Sequence, residues 1–178
     1  MVTGVRRVER SAGYSYKPRV VEFETSFMLT DESATGELGA MIAGALGTGD
    51  LIALSGDLGA GKTTLARAIL RSLGVAEEVP SPTFTLVQRY HTPMLAVSHF
   101  DLYRLESESE LNELGLEDAL DDGAALVEWP ENGLPARLQH DALTIRLAAL
   151  DQNRREVTVC GPVRWRPIFT SVAVSKFA

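Results

Sequence analysis

The octapeptide Gly56-Asp57-Leu58-Gly59-Ala60-Gly61-Lys62-Thr63 narrows the possible folds more than any other feature, because of what flanks it. Ahead of it stands Leu51-Ile52-Ala53-Leu54, a short, wholly apolar run of the kind that forms a strand buried on both faces. Behind it, residues 63–73 place Leu65, Ala66, Ile69 and Leu73 on one side of a helix that Gly74 stops. A strand, a turn with the spacing G-x-x-x-x-G-K-S/T and a helix together predict a loop that cradles phosphate. Gly56, Gly59 and Gly61 let the backbone turn sharply and approach the anion with no Cβ in the way. Successive amides, with the positive end of the helix behind them, then face the β-phosphate of a nucleotide. Lys62 reaches the β- and γ-oxygens, and the Thr63 hydroxyl is placed for Mg2+.

Around this loop, short apolar runs alternate with helical patterns, which predicts one α/β domain. The length fits about one domain. A first strand is expected within residues 20–29. A helix follows, capped by Thr30 or Asp31, with Ala34, Leu38, Met41, Ile42 and Ala45 inward and Gly47 and Gly49 at its end. Two prolines bracket Ser81 and mark a loop. Strands over residues 84–90 and 94–100 form a hairpin around His91-Thr92-Pro93. Ser107 and Glu110 have capping-box spacing and open a short helix through Leu114. Residues 124–127 read as another buried strand, and residues 143–147 and 156–159 as a hairpin around Asp151-Gln152-Asn153. The expected organisation is a flexible basic leader over residues 1–19, a domain over 20–161 and an unassigned tail over 162–178. Val163-Arg164-Trp165-Arg166 either packs on the domain or stays free of it.

Hydrophobic residues make up 45% of the chain and charged residues 23%, an ordinary balance for a soluble protein. With 17 basic and 24 acidic residues the net charge is −7, which argues against gripping nucleic acid by bulk electrostatics. From Glu106 to Asp122 the chain carries acids and no basic residue. That run reads either as a solvated helix face or as a docking surface for a basic partner, and composition does not decide. The single cysteine, Cys160, excludes an intrachain disulfide and fits a reducing compartment. With no apolar core in the first residues and no run long enough to span a bilayer, the expectation is a cytoplasmic protein without membrane contact.

A phosphate loop needs an acid at a neighbouring strand end to complete the Mg2+ shell. Asp101 and Glu128 each close an apolar run, and Glu128 follows the purer one. On pattern alone Glu128 is the better strand-end acid, and Asp101 could instead orient a water or hold the metal's own waters. The pattern leaves open which of the two touches Mg2+ directly.

With these residues in hand the chain resembles the TsaE family, P-loop ATPases required for threonylcarbamoyladenosine formation in bacterial tRNA. The resemblance spans roughly residues 27–159. It rests on the phosphate loop through Thr64, Ser81-Pro82-Thr83-Phe84-Thr85-Leu86-Val87, His99-Phe100-Asp101-Leu102-Tyr103-Arg104 and Glu128-Trp129-Pro130. It implies a single P-loop NTPase domain, a mixed central sheet flanked by helices, with ATP and Mg2+ as cofactors. It implies Lys62 on the phosphates, Thr63 and Glu128 on the metal, and Asp101 in catalysis near the γ-phosphate. Thr83 would sense the γ-phosphate from a switch loop. Glu32, Thr35 and the Asn153-Arg154 turn would frame the base. Trp129 should lie close to the nucleotide, either over the switch loop or as a large core residue, whereas His99 reads as a packed strand residue. The implied role is that of an accessory ATPase, weak alone and stimulated by TsaD and TsaB, which reaches tRNA only through that complex. The rivals are a small P-loop kinase and a nucleotide-gated interaction module. Against the kinase, residues 106–122 offer no arginine for a phosphate-covering lid.

Overall fold

A strand that is apolar on every residue needs cover on both faces, and Leu51-Ile52-Ala53-Leu54 receives it at the centre of a sheet. The computed structural model describes residues 23–105 and 108–170. In it, β1 (Phe23–Leu29), β2 (Leu51–Ser55), β3 (Val87–His91), β4 (Ala96–Asp101), β5 (Gly123–Glu128), β6 (Leu143–Ala149) and β7 (Arg155–Gly161) form one sheet in the order β1-β7-β6-β2-β5-β4-β3. β2 is parallel to both its neighbours, β5 and β6, and β4 is parallel to β5. The β1–β7, β6–β7 and β3–β4 pairs are antiparallel, so the sheet is mixed.

Alternate residues of β2 serve two cores. Ile52 and Leu54 face a core shared with α1 (Glu32–Ala43) and α2 (Lys62–Ser72), whereas Leu51 and Ala53 face another. The second core takes Leu111 from α3 (Glu108–Glu113) and Leu116 and Ala119 from α4 (Leu116–Asp122). Leu138 of α5 (Ala136–Asp141) packs against its edge. No described helix is long and apolar enough to cross a membrane.

Local chemistry moves several expected boundaries. The Asp31 carboxylate accepts the Ala34 amide at 2.8 Å and caps α1, as its position predicts. The helix ends at Ala43 rather than at Gly47 or Gly49. Its last turn tightens, with the Ala45 and Leu46 amides donating three residues back, so Leu46 enters the core and Ala45 stays exposed. β3 begins at Val87, not residue 84. The Leu86 amide folds back to the Pro82 carbonyl at 2.6 Å and Leu86 itself has φ 64°, which leaves Phe84 84% exposed. The acidic run spans two helices, broken at Gly115 (φ 72°), where one was expected. α5 was not expected either. Ser107 of the expected capping box, residues 20–22 of the expected first strand and the leader over 1–19 all lie outside the described residues, as do residues 171–178.

Residues 162–170 pack on the domain. After a 3-10 turn over Val163–Trp165 comes α6 (Arg166–Thr170), which buries Trp165 and Phe169. The Phe169 ring stacks on Phe23 and Phe27 at 5.9 and 6.5 Å between centroids. Arg164 forms an ion pair with Asp50, just ahead of β2. Each aromatic pair is worth ~0.5–1.5 kcal/mol beyond its buried area, so Phe169→Leu should lower the unfolding free energy by about 2 kcal/mol. Urea denaturation should show this as a lower midpoint at unchanged slope.

Candidate active site

The loop after β2 is shaped by backbone need. Gly56 has φ 134°, and a Cβ there would lie 2.2 Å from the Leu147 carbonyl oxygen of β6. Glycine at this position is therefore demanded by the neighbouring strand as much as by any phosphate. Gly61 (φ 107°) caps α2 in the left-handed region with no side-chain acceptor. A serine or aspartate cap would have consumed one of the first helical amides; here they stay available to an anion.

Lys62 lies back along this loop. Its Nζ donates to the carbonyls of Gly56 (2.5 Å) and Asp57 (3.0 Å) and sits 3.6 Å from the centroid of the Trp129 ring. Burial lowers the pKa of this ammonium from its ordinary 10.5, against the opposing pull of Glu128, Glu131, Asp101 and Asp57. Trp129 has φ 57°, packs on Tyr103 at 4.9 Å between centroids and lines the cavity described next.

Parallel pairing of β4 with β5 sets Asp101 opposite Glu128 at the carboxyl ends of their strands. Both side chains are buried yet fully engaged. One Glu128 oxygen, Oε2, accepts the Thr63 hydroxyl at 3.0 Å; the other, Oε1, lies 2.8 Å from His99 Nε2. Asp101 Oδ2 accepts from Thr83 (2.7 Å) and Ser81 (3.3 Å), and its Oδ1 accepts the Tyr103 amide at 3.0 Å. The Ser81-Pro82-Thr83 segment is thus latched to Asp101.

These groups surround a cavity of about 250 Å³ whose walls include Lys62, Thr63, Thr83, Asp101, Glu128 and Trp129, with Leu58 and Gly59 at the loop. A second cavity, about 140 Å³, lies on the α1 side, lined by Glu32, Thr35, Ala60, Leu147, Asn153 and Arg155 among others. The two share Gly61 and Thr64, so they meet where α2 begins. Gly56 and Asp57 join the site through the carbonyls that hold Lys62. Among the described residues no three His, Cys, Asp or Glu side chains cluster to hold a metal by themselves. A hydroxyl and one carboxylate in contact beside a phosphate loop suit Mg2+, which keeps waters and takes phosphate oxygens.

One expected residue is not brought there. Arg154 turns away and pairs with Asp151 at 2.7 Å, where its own backbone amide, ahead of its side chain, holds the Asp151 carboxyl down to about 2. Arg155 takes its place on the cavity wall, donating from Nε to the Ala60 carbonyl (3.1 Å) and from Nη1 to the Gln152 carbonyl (3.1 Å). Arg154 closes the turn and Arg155 opens β7, so an error of one position changes which arginine meets the cavity. Sequence reasoning also missed His99 and Tyr103 as partners of the two acids; their signal was membership in the same motif as Asp101.

The chain is similar to known proteins over most of its length. The model of the family described as "Threonylcarbamoyl adenosine biosynthesis protein TsaE" matches residues 29–157. A Rickettsia felis protein named tRNA threonylcarbamoyladenosine biosynthesis protein TsaE is 40% identical over 129 residues, covering 72% of this chain and 75% of its own. The Bacillus subtilis protein of that name is 40% identical over 111 residues, 62% of this chain and 68% of its own. The crystal structure of Bacillus subtilis YdiB superposes with a TM-score of 0.67 at 28% identity, over 85% of this chain and 94% of that one. The chain belongs to the TsaE family.

Proposed function

We propose that this chain is the ATP-hydrolysing accessory protein of tRNA threonylcarbamoyladenosine biosynthesis, acting in the cytoplasm with proteins of the TsaD and TsaB type. The observation that carries it is the convergence of Lys62, the Thr63–Glu128 contact and Asp101 on one cavity at the start of α2. In this reading the amides of residues 59–64 and Lys62 bind the triphosphate, Thr63 and Glu128 hold Mg2+, and Asp101 acts beside the γ-phosphate. Bound Mg2+ would neutralise charge on the β- and γ-oxygens. The base and ribose occupy the cavity of Glu32, Thr35 and Asn153, with Arg155 in the role first expected of Arg154.

Thr83 links nucleotide state to partner contact, since the hydroxyl that satisfies Asp101 stands on the loop carrying the exposed Phe84. A γ-phosphate competing for that hydroxyl would release the latch. The acidic balance leaves tRNA binding to the partners. The sequence singles out no arginine finger or water-orienting glutamine, so hydrolysis is expected to be feeble alone and stimulated by partners.

Reconstituted tRNA modification tests this. Omitting the chain should leave about one round of product per transferase complex, and adding it with ATP should restore continued turnover. Equal multi-round yield with and without it would refute the reading. The kinase alternative finds no support in the acidic α3–α4 segment, which offers no arginine lid among its described residues.

A further inference from the structure

We propose that His99 is a positioning residue that fixes the carboxylate of Glu128 for the metal; the inference rests on the Mg2+ role given to Glu128 above. His99 is 0% exposed in the middle of β4, paired in register with Leu126, and it is not a wall of the cavity. Its contact to the site is one hydrogen bond, Nε2 to Glu128 Oε1 at 2.8 Å. An ionised carboxylate only accepts, so the ring proton of that bond is on Nε2 and the imidazole donates it.

The rest of the ring supports this orientation. His99 Nδ1 is buried with no hydrogen-bond partner. Burying a polar atom unpaired is costly, and a residue retained for packing alone would be apolar. The imidazole's one satisfied nitrogen is the one that faces Glu128. With Oε1 held from behind by the strand, Oε2 is directed at Thr63 Oγ1, 3.0 Å away. One carboxylate is thus divided between a buried donor that sets its rotamer and a hydroxyl at the mouth of the helix. Hydrogen bonds that orient a metal-ligating group typically change metal affinity ten- to a hundredfold when removed.

The test measures metal binding directly. Mn2+ affinity is read by electron paramagnetic resonance with a saturating non-hydrolysable ATP analogue, and analogue affinity is measured separately in EDTA. His99→Leu removes the donor at similar volume and should weaken Mn2+ about ten- to a hundredfold, while metal-free analogue affinity stays within about twofold. His99→Gln, whose amide reaches the Nε2 position, should restore Mn2+ affinity to within about threefold of the unaltered protein. His99→Asn, which is too short to reach, should not. If His99→Leu fails to fold, the Gln–Asn contrast decides the matter alone. Unchanged Mn2+ affinity in His99→Leu, or equal values for Gln and Asn, would overturn the proposal, as would a matching loss of analogue affinity in EDTA. Glu128→Gln separates the two layers. If it leaves Mn2+ affinity unchanged, the metal role itself fails; if it weakens Mn2+ while His99→Leu does not, only the positioning role fails.

Discussion

Lys62→Met is expected to weaken ATP binding by roughly 10²- to 10⁴-fold and to leave the nucleotide-free protein no less stable than before. The affinity estimate follows from two charge-assisted hydrogen bonds to phosphate, each worth about 1.5–3 kcal/mol, at about 1.4 kcal/mol per tenfold. The stability expectation follows from burial. Lys62 has a folded pKa below its ordinary 10.5, so the unfolded chain holds that proton more tightly. Stability therefore climbs as pH rises from the folded value toward 10.5, and at neutral pH the buried ammonium is a cost. Its bonds to the Gly56 and Asp57 carbonyls and its place over Trp129 offset part of that cost. Methionine keeps most of the stem's volume while removing the charge. Calorimetric titration with Mg-ATP checks the first claim, and thermal melts with and without nucleotide check the second. The ATP-induced rise in Tm should vanish while the nucleotide-free Tm holds or rises. Affinity within threefold of the unaltered protein would take the phosphate role away from Lys62.

What the sequence makes legible here is what is local. The β2–loop–α2 unit declares itself because strand, glycine spacing and helix face are contiguous, and each agrees with the next. Asp101 and Glu128 are legible as strand-end acids for the same reason. Their facing each other is not, because it depends on β4 lying beside β5 in parallel, a pairing across 27 positions of chain that no local pattern encodes. The His99–Glu128 bond is hidden in the same way, across 29 positions. Arg154 and Arg155 show a different limit: the hairpin was readable, but which of two adjacent arginines faces the loop depends on register. α4 was hidden by its charge, since Leu116 and Ala119 are its buried residues amid Glu117, Asp118, Asp121 and Asp122. In the tail, Trp165 and Phe169 stand four apart, the spacing of one helix face, but a segment this short carries too little periodicity to be assigned.

Asp101→Asn should separate ATP binding from ATP splitting. Asparagine keeps the size of the side chain and an oxygen for the Tyr103 amide, and the Ser81 and Thr83 hydroxyls can rotate to donate or accept, so the latch geometry survives. What it loses is the negative charge that would accept a proton from, or orient, the attacking water. General-base catalysis contributes about 10²- to 10⁴-fold, so single-turnover hydrolysis in the presence of the partner proteins should fall by at least ~10²-fold. ATP affinity, which the proposed reading gives to the loop amides and Lys62, should stay within about threefold. Reconstituted tRNA modification then gives the decisive reading. If hydrolysis resets the partner complex, this variant permits the first round and blocks those that follow. If product accumulates through many rounds while ATP remains intact, nucleotide occupancy alone is sufficient and the chain acts as a binding module rather than as a working ATPase. If hydrolysis proceeds at the unaltered rate, Asp101 has no part in the chemistry, and its role is confined to holding Ser81 and Thr83 at the edge of the cavity.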